Sequence, residues 1–234
     1  MRQIRKLFAL AVVVCSTAFF PSEKQAAWSA DNSMLLYSLL RDHRYDAAVQ
    51  TATLALASNR QYALAYFIRG KALTELERSE EALSDLTKAV SLNPKLDDAS
   101  VHDCRAKCFV NLAKLDQALA EANTAVKLAP TSDRFRLRGQ LYFQRKQYPK
   151  AMESFGDAIK ASPKDYWNYY DRASCYAFLN MNKEAIADYT QVIARAPTEP
   201  SAYVFRAKLY DKLGLHDLAR KDREQASKRT DFSM

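Results

Sequence analysis

Apolar residues recur along most of the chain at intervals of three and four positions, in paired stretches separated by polar segments. Residues 80–94, EEALSDLTKAVSLNP, are typical: their alanines, leucines and valine fall on one face of a helix. The proline at the end stops such a helix because it cannot donate the next backbone hydrogen bond. Only 4 glycines occur in 234 residues, which argues against β folds rich in tight turns and against phosphate-binding loops. The pattern predicts an all-α chain.

The paired stretches belong to one repeated unit. In most copies an arginine precedes a Gly or Ala, an alanine follows twelve residues later, and a small residue and then a proline follow at fixed offsets. The period is about 34 residues, and the linker PKLDDAS lengthens the second unit. Because one helix pair cannot bury its apolar face alone, successive units must stack. The predicted solenoid covers residues 29–233, with units near 29–62, 63–98, 99–131, 132–165, 166–199 and 200–233.

This unit resembles the tetratricopeptide repeat (TPR), through FIRGKAL (67–73), DCRAKCF (103–109) and FRAKLY (205–210) and the alanines and prolines behind them. The resemblance implies a right-handed superhelical solenoid of helix-turn-helix repeats, whose first helices line a concave groove that holds a peptide or a partner's helix. We expect Asp103 and Val204 to face that groove. The residues predicted to bind the partner there are Tyr37, Phe67, Lys71, Lys107, Arg136, Gln140, Phe143, Trp167, Tyr170, Phe178 and Lys208.

The predicted groove is basic in its middle and aromatic toward the fifth unit, which favours a partner peptide with acidic and apolar residues. The alternative is that rings such as Tyr170 and Phe178 only pack between units. Without residues 1–30 the chain would carry 31 basic and 26 acidic residues. That excess is too small and too interleaved to favour nucleic acid.

Several recurring charges have a structural interpretation. Arg69, Arg105, Arg172 and Arg206 each have an acid sixteen residues later, whereas Arg138 is followed by Ser154. We expect salt bridges between packed helices, with ligand binding as the alternative. In the last unit, basic residues replace apolar ones, as a terminal repeat with a solvated outer face requires; a membrane or nucleic-acid patch is the other interpretation. These residues are Arg220, Lys221, Arg223, Lys228 and Arg229.

The segment CRAKC raises the question of a metal or redox site. Cys104, Cys108 and Cys175 occupy positions that hold apolar residues in other units, and His102 occupies an aromatic position. No second cysteine pair completes a tetrahedral site. No motif of a hydrolase, zinc peptidase or phosphate-binding enzyme occurs. We therefore predict a non-catalytic protein that uses no cofactor and no metal.

Residues 1–28 differ from the repeats. A basic start precedes the uncharged run LFALAVVVCSTAFF (7–20) and then small residues, the order of a secretory signal. We predict a scaffold or adaptor that is exported to the periplasm, the cell envelope or the extracellular space. The alternative is an uncleaved N-terminal anchor on a structural or assembly component that uses the solenoid for self-association or complex assembly.

Overall fold

The computed structural model describes residues 33–230, and all regular structure in that range is helical. The predicted signal segment, residues 1–28, lies outside the described residues. A single 3-10 turn, Pro94–Leu96, follows the fourth helix. The α-helices are α1 (33–41), α2 (Tyr45–Ser58), α3 (Ala63–Glu75), α4 (Ser79–Leu92), α5 (Ala99–Asn111), α6 (Leu115–Leu128), α7 (Ser132–Gln144), α8 (Tyr148–Ala161), α9 (Tyr166–Phe178), α10 (Asn182–Arg195), α11 (Pro200–Lys212) and α12 (His216–Thr230).

The helices form consecutive antiparallel pairs, and each pair packs on the next. The all-α solenoid predicted from the sequence is therefore confirmed. We call the odd-numbered helix of each pair helix A and the even-numbered one helix B. The longer linker before α5 is ordered by its own side chains, because Asn93 accepts a hydrogen bond from the Lys95 amide and Asp98 caps α5.

At one position of helix A, five of the six repeats have a small residue that packs directly against helix B. An added Cβ would lie 2.8 Å from Leu86 Cγ at Gly70 and 2.6 Å from Phe155 Cε1 at Gly139. The equivalent alanines of three other repeats have no exposed surface, and these are Ala106, Ala173 and Ala207. The small residue thus sets the distance between the two helices and lets a large apolar side chain of helix B fill the gap.

Every turn between helices A and B passes through the left-handed backbone region. Within residues 33–230, six residues have positive φ, one in each repeat, and five of them are not glycine. They are His43, Glu77, Ala113, Lys146, Asn180 and Gly214. In each turn the following amide bonds back to a carbonyl near the end of helix A, for example Arg78 N to Leu73 O at 2.9 Å. This arrangement satisfies the last carbonyls of helix A and is a common way to end a helix.

The predicted arginine pairs link helices A and B of the same repeat. Arg69 donates to both carboxylate oxygens of Asp85 at 2.6 and 2.9 Å. Its third nitrogen donates to Thr53 Oγ1 of the preceding repeat at 3.1 Å. Arg206 repeats this geometry with Asp222, and Arg172 binds Asp188 at 2.7 and 2.8 Å. The structural interpretation is confirmed for these three arginines.

The fourth predicted pair, Arg105 with Glu121, is wrong. Among the described residues Glu121 instead binds His102, with 2.5 Å between Oε2 and Nδ1. His102 is also 3.4 Å from Asp97 of the long linker, so it is more than the aromatic packing residue that its position suggested. Arg138, which lacks a carboxylate at the expected position, donates to Ser154 Oγ at 3.0 Å and lies 3.4 Å from Asp157.

A second arginine contact was not predicted. Arg195 stacks on Tyr169, 4.3 Å from the ring centroid, and donates to Pro163 O at 2.8 Å. Arg229 stacks on Tyr203 and donates to Pro197 O in the same way. Each therefore ties the end of a helix B to the linker that precedes its own repeat.

The last helix is polar on its outer face, as expected for a terminal repeat. Arg220, Lys221, Arg223 and Lys228 are exposed, and Arg229 is half-buried. Within residues 33–230, none of the helices has the length and hydropathy needed to cross a bilayer.

The glycines give a direct test of the contact between helices A and B. Gly139→Ala should lower the free energy of unfolding by about 1–3 kcal/mol, because its methyl group overlaps the buried Phe155 ring. Gly156→Ala is the matched control, since an added Cβ there meets only Arg172 Nη1 at 4.0 Å. It should raise stability by about 1 kcal/mol through helix propensity alone. Thermal unfolding followed by circular dichroism measures both, and equal effects would contradict the proposed contact.

Candidate functional site

The A helices line the concave face of the solenoid. Helix α3 packs directly on α5, and α7 on α9, so the A helices of neighbouring repeats lie close together. The residues predicted to bind a partner all lie on A helices.

Charged residues in the first half of the groove are largely paired with one another. Lys107 Nζ is 2.9 Å from Glu75 Oε1 on the preceding A helix. Arg134 and Asp103 also form a salt bridge between neighbouring repeats, with 2.8 Å between Nη2 and Oδ2. Lys71 lies 5.1 Å from the centroid of the Phe67 ring and 3.4 Å from Ser100 Oγ. The middle of the groove is therefore less basic than its lysines suggested.

A carboxylate occupies the seam between α7 and α9. Asp171 stands where other repeats have apolar residues such as Ile68 and Leu137, and Gln140 Nε2 donates to it at 3.0 Å. Burial raises the pKa of Asp171, while the Gln140 hydrogen bond and the nearby Arg136 act in the opposite direction. Burial is the stronger influence, so ionised Asp171 is held at some cost to the fold.

The far end of the groove presents a connected aromatic surface on α9 and α11. The ring centroids of Trp167 and Tyr170 are 5.5 Å apart, and the Phe205 ring stacks on the Tyr189 ring with 5.9 Å between centroids. Trp167, Val204 and Phe205 are 41%, 37% and 38% exposed. Lys208 is exposed beside them, with its ammonium 5.1 Å from the Phe205 centroid. This surface combines apolar area with a cation, a combination suited to contact with a partner.

Phe143 and Phe178 lie away from this surface, at the turn end of their helices. Their ring centroids are 5.8 Å apart, and the ring centroid of Tyr148 lies 4.7 Å from that of Phe178. Phe178 is nevertheless 60% exposed.

Accessibility varies widely among the eleven predicted binding residues. Phe67 is only 5% exposed and belongs to the core, so its ring is covered rather than presented. Half-buried residues are Lys71, Arg136, Gln140, Phe143 and Tyr170, and exposed ones are Tyr37, Lys107, Trp167, Phe178 and Lys208. Sequence reasoning missed Phe205 as a groove residue, because it occupies a position that is apolar in most repeats. The role of the eleven predicted residues in binding a partner stays a prediction.

The cysteines carry no sign of reactivity. Cys104, Cys108 and Cys175 are all buried, and burial raises the pKa of Cys104 to about 11 and that of Cys175 to about 12. A thiolate, the reactive form, is thereby disfavoured. Within residues 33–230 no group of three or more His, Cys, Asp or Glu side chains is placed to hold a metal ion.

Asp171 gives the groove a pH-dependent stability. A carboxyl whose pKa is higher in the folded chain than in the unfolded chain destabilises the fold once it ionises. Asp171→Asn should therefore raise the melting temperature at pH 7. The gain should shrink as the pH falls through the raised pKa, and it should vanish below the ordinary value of 3.8, where both states are protonated. Glu153→Gln is the control because Glu153 is exposed on helix α8, and it should change little. A loss of stability at pH 7 would show that attraction to Arg136 outweighs burial.

Comparison with known proteins identifies the repeat. Family models described as tetratricopeptide repeat match residues 34–97 and 105–166, which is more than half of the chain, and residues 168–199. An Hsp70-Hsp90 organizing protein of Triticum aestivum is 29% identical over 169 residues, covering 69% of this chain and 25% of that protein. Hsp70-Hsp90 organizing protein 1 of Glycine max is 34% identical over 87 residues, covering 35% of this chain and 15% of that protein. The chain thus spans a quarter or less of the length of these curated relatives.

Solved structures share the fold. The C-terminal part of a TPR repeat-containing protein from Cytophaga hutchinsonii superposes with a TM-score of 0.75 at 17% identity, over 84% of this chain and 78% of that one. YrrB, described as a TPR protein with an unusual peptide-binding site, gives a TM-score of 0.65 at 19% identity, over 78% of this chain and 93% of that one. Sequence and structure agree that the chain belongs to the tetratricopeptide repeat family.

Proposed function

We propose that the protein is a non-catalytic scaffold that binds a segment of another protein along its concave face. One observation carries the proposal: Trp167, Val204 and Phe205 are each more than a third exposed on neighbouring A helices. Exposed apolar surface of this kind typically marks a contact site, and aromatic residues supply much of the binding energy in such sites. The extended inner surface of a solenoid suits a linear segment.

The bound segment carries an apolar side chain and a nearby carboxylate. The apolar side chain packs between Trp167 and Phe205, and the carboxylate approaches Lys208. Lys107 and Arg134 contribute less, because Glu75 and Asp103 already neutralise them. We therefore propose that the acidic and apolar partner expected from the sequence binds at the fifth and sixth repeats rather than in the basic middle.

Relatives support the same class of function. The names of the Hsp70-Hsp90 organizing proteins and the description of YrrB refer to association with proteins and peptides. These relatives motivate the search for a protein partner and leave its identity open.

Crosslinked pull-down from cells that express the protein at its native level tests the proposal. The triple change Trp167→Ala, Val204→Ser and Lys208→Glu should reduce capture of the specific partner about tenfold or more, because it removes the apolar anchor and reverses the charge. Reversing Lys71, Lys107 and Arg136 to Glu should have a smaller effect, since Lys107 is already paired.

The matched control is Leu128→Ser with Lys127→Glu, which changes an exposed leucine and an exposed lysine on helix α6. Circular dichroism must show equal helicity for all variants. Partners captured equally by the wild type and by both groove variants would rule out binding on the concave face.

We further propose that the protein is exported through its N-terminal segment. The basic start and the apolar run 7–20 support this, since a spanning anchor needs about 20 apolar residues and this run is shorter. Intact-mass measurement on protein recovered from cells should show a loss of about 3 kDa from the N-terminus. Recovery of the uncleaved chain in the membrane fraction would favour the anchored assembly component instead.

A further inference from the structure

The turns between helices A and B differ sharply between the two halves of the solenoid. The seven equivalent positions of each repeat span 41–47, 75–81 and 111–117 in the first half, and 144–150, 178–184 and 212–218 in the second. The first three segments contain 4 basic and 7 acidic residues, whereas the last three contain 5 basic and 2 acidic residues. We call the last three segments together the turn edge.

Large apolar side chains are exposed along the turn edge. Five of them, from the fifth and sixth repeats, have between 37% and 60% of their surface exposed: Phe178, Leu179, Leu213, Leu215 and Leu218. In the first three repeats the apolar residues at these positions are half-buried, and two of them, Tyr45 and Leu115, pack against the core. Leu215 and Leu218 stand where the second repeat has Arg78 and Glu81, whereas Leu213 stands where that repeat has Leu76.

Successive turns lie side by side because the repeats stack in one direction. The contacts of Phe178 with Phe143 and Tyr148 join the turns of the fourth and fifth repeats directly. The exposed lysines Lys146, Lys183 and Lys212 accompany the apolar side chains along this line. The opposite edge of the same repeats carries polar linkers instead, such as Pro163–Lys164–Asp165 and Pro197–Thr198–Glu199.

We propose that the turn edge is a membrane-docking surface that binds anionic lipid bilayers. Separate apolar tips on a row of turns form no groove for a peptide, but each can enter the interfacial layer of a bilayer. Lysines beside them attract anionic headgroups, and this attraction is additive over several side chains. The proposal concerns a different surface from the concave groove and does not depend on partner binding there.

Flotation with lipid vesicles tests this proposal on the full chain. The wild type should bind vesicles of phosphatidylcholine with 30% phosphatidylglycerol, about tenfold better than pure phosphatidylcholine, and the difference should diminish in high salt. The triple change Leu213→Ser, Leu215→Ser and Leu218→Ser should weaken this binding about tenfold. Lys146→Glu, Lys183→Glu and Lys212→Glu together should abolish the preference for the anionic vesicles.

Matched controls are Leu54→Ser with Leu128→Ser, and Lys88→Glu with Lys127→Glu, which alter exposed residues on B helices away from the edge. These controls should bind like the wild type. The wild type and all variants share the apolar run 7–20, which could itself bind lipid, so a local measurement is needed. Hydrogen–deuterium exchange supplies it: vesicles should slow amide exchange in residues 178–184 and 212–218.

Equal vesicle binding by the edge variants and the wild type, with no protection of these segments, would overturn the proposal. Equal binding to neutral and anionic vesicles would overturn its electrostatic part. Loss of a captured protein from the leucine variant, with vesicle binding intact, would show that the edge docks a protein instead.

Discussion

The close approach of helices A and B at one small residue, present in five of the six repeats, is the contact on which the solenoid depends. At Gly139 there is no room for a methyl group, because the Phe155 ring already lies where the added Cβ would be. The same distance brings an arginine on helix A within reach of a carboxylate on helix B, as with Arg172 and Asp188. The second, fifth and sixth repeats are therefore held by an apolar contact and an ion pair side by side. A substitution that moves the two helices apart at the apolar contact would also separate the ion pair. Such a separation is costly, because it leaves a half-buried guanidinium without its carboxylate.

The repeat, the helix pairs and three of the arginine pairs could be predicted from the sequence, because each depends on residues at fixed offsets. Glu121 shows where that reasoning stops. His102 stands in a position that is aromatic elsewhere, and its Nδ1 atom takes the carboxylate that Arg105 was expected to bind. The left-handed turn residues were equally hidden, since only Gly214 among the six is a glycine. In these turns the packing of the two helices fixes the left-handed backbone conformation, and the residue types at the turns do not reveal it.

The candidate groove could be predicted in outline only. Helical spacing placed the right columns of residues on the A helices, but spacing within one helix says nothing about contacts with the next. Lys107 and Glu75 are 32 residues apart, and Arg134 and Asp103 are 31 residues apart. Phe67 was expected to face a partner, yet it lies beneath Lys71 in the core. Phe178 is among the predicted binding residues, but Leu179, Leu213 and Leu215 escaped notice because residues outside the helices do not contribute to a helical period.

Both proposed surfaces lie in the second half of the solenoid, and helix α9 connects them. Trp167 lies in its first turn beside the aromatic surface of the groove, and Phe178 ends it at the turn edge. Eleven residues of α-helix separate the two by about 16 Å. A bilayer at the turn edge would therefore stand one helix length from a segment bound at Trp167, so the two need not compete. A partner that shifts α9 would also move the turn edge, and such a shift would link the two binding events energetically.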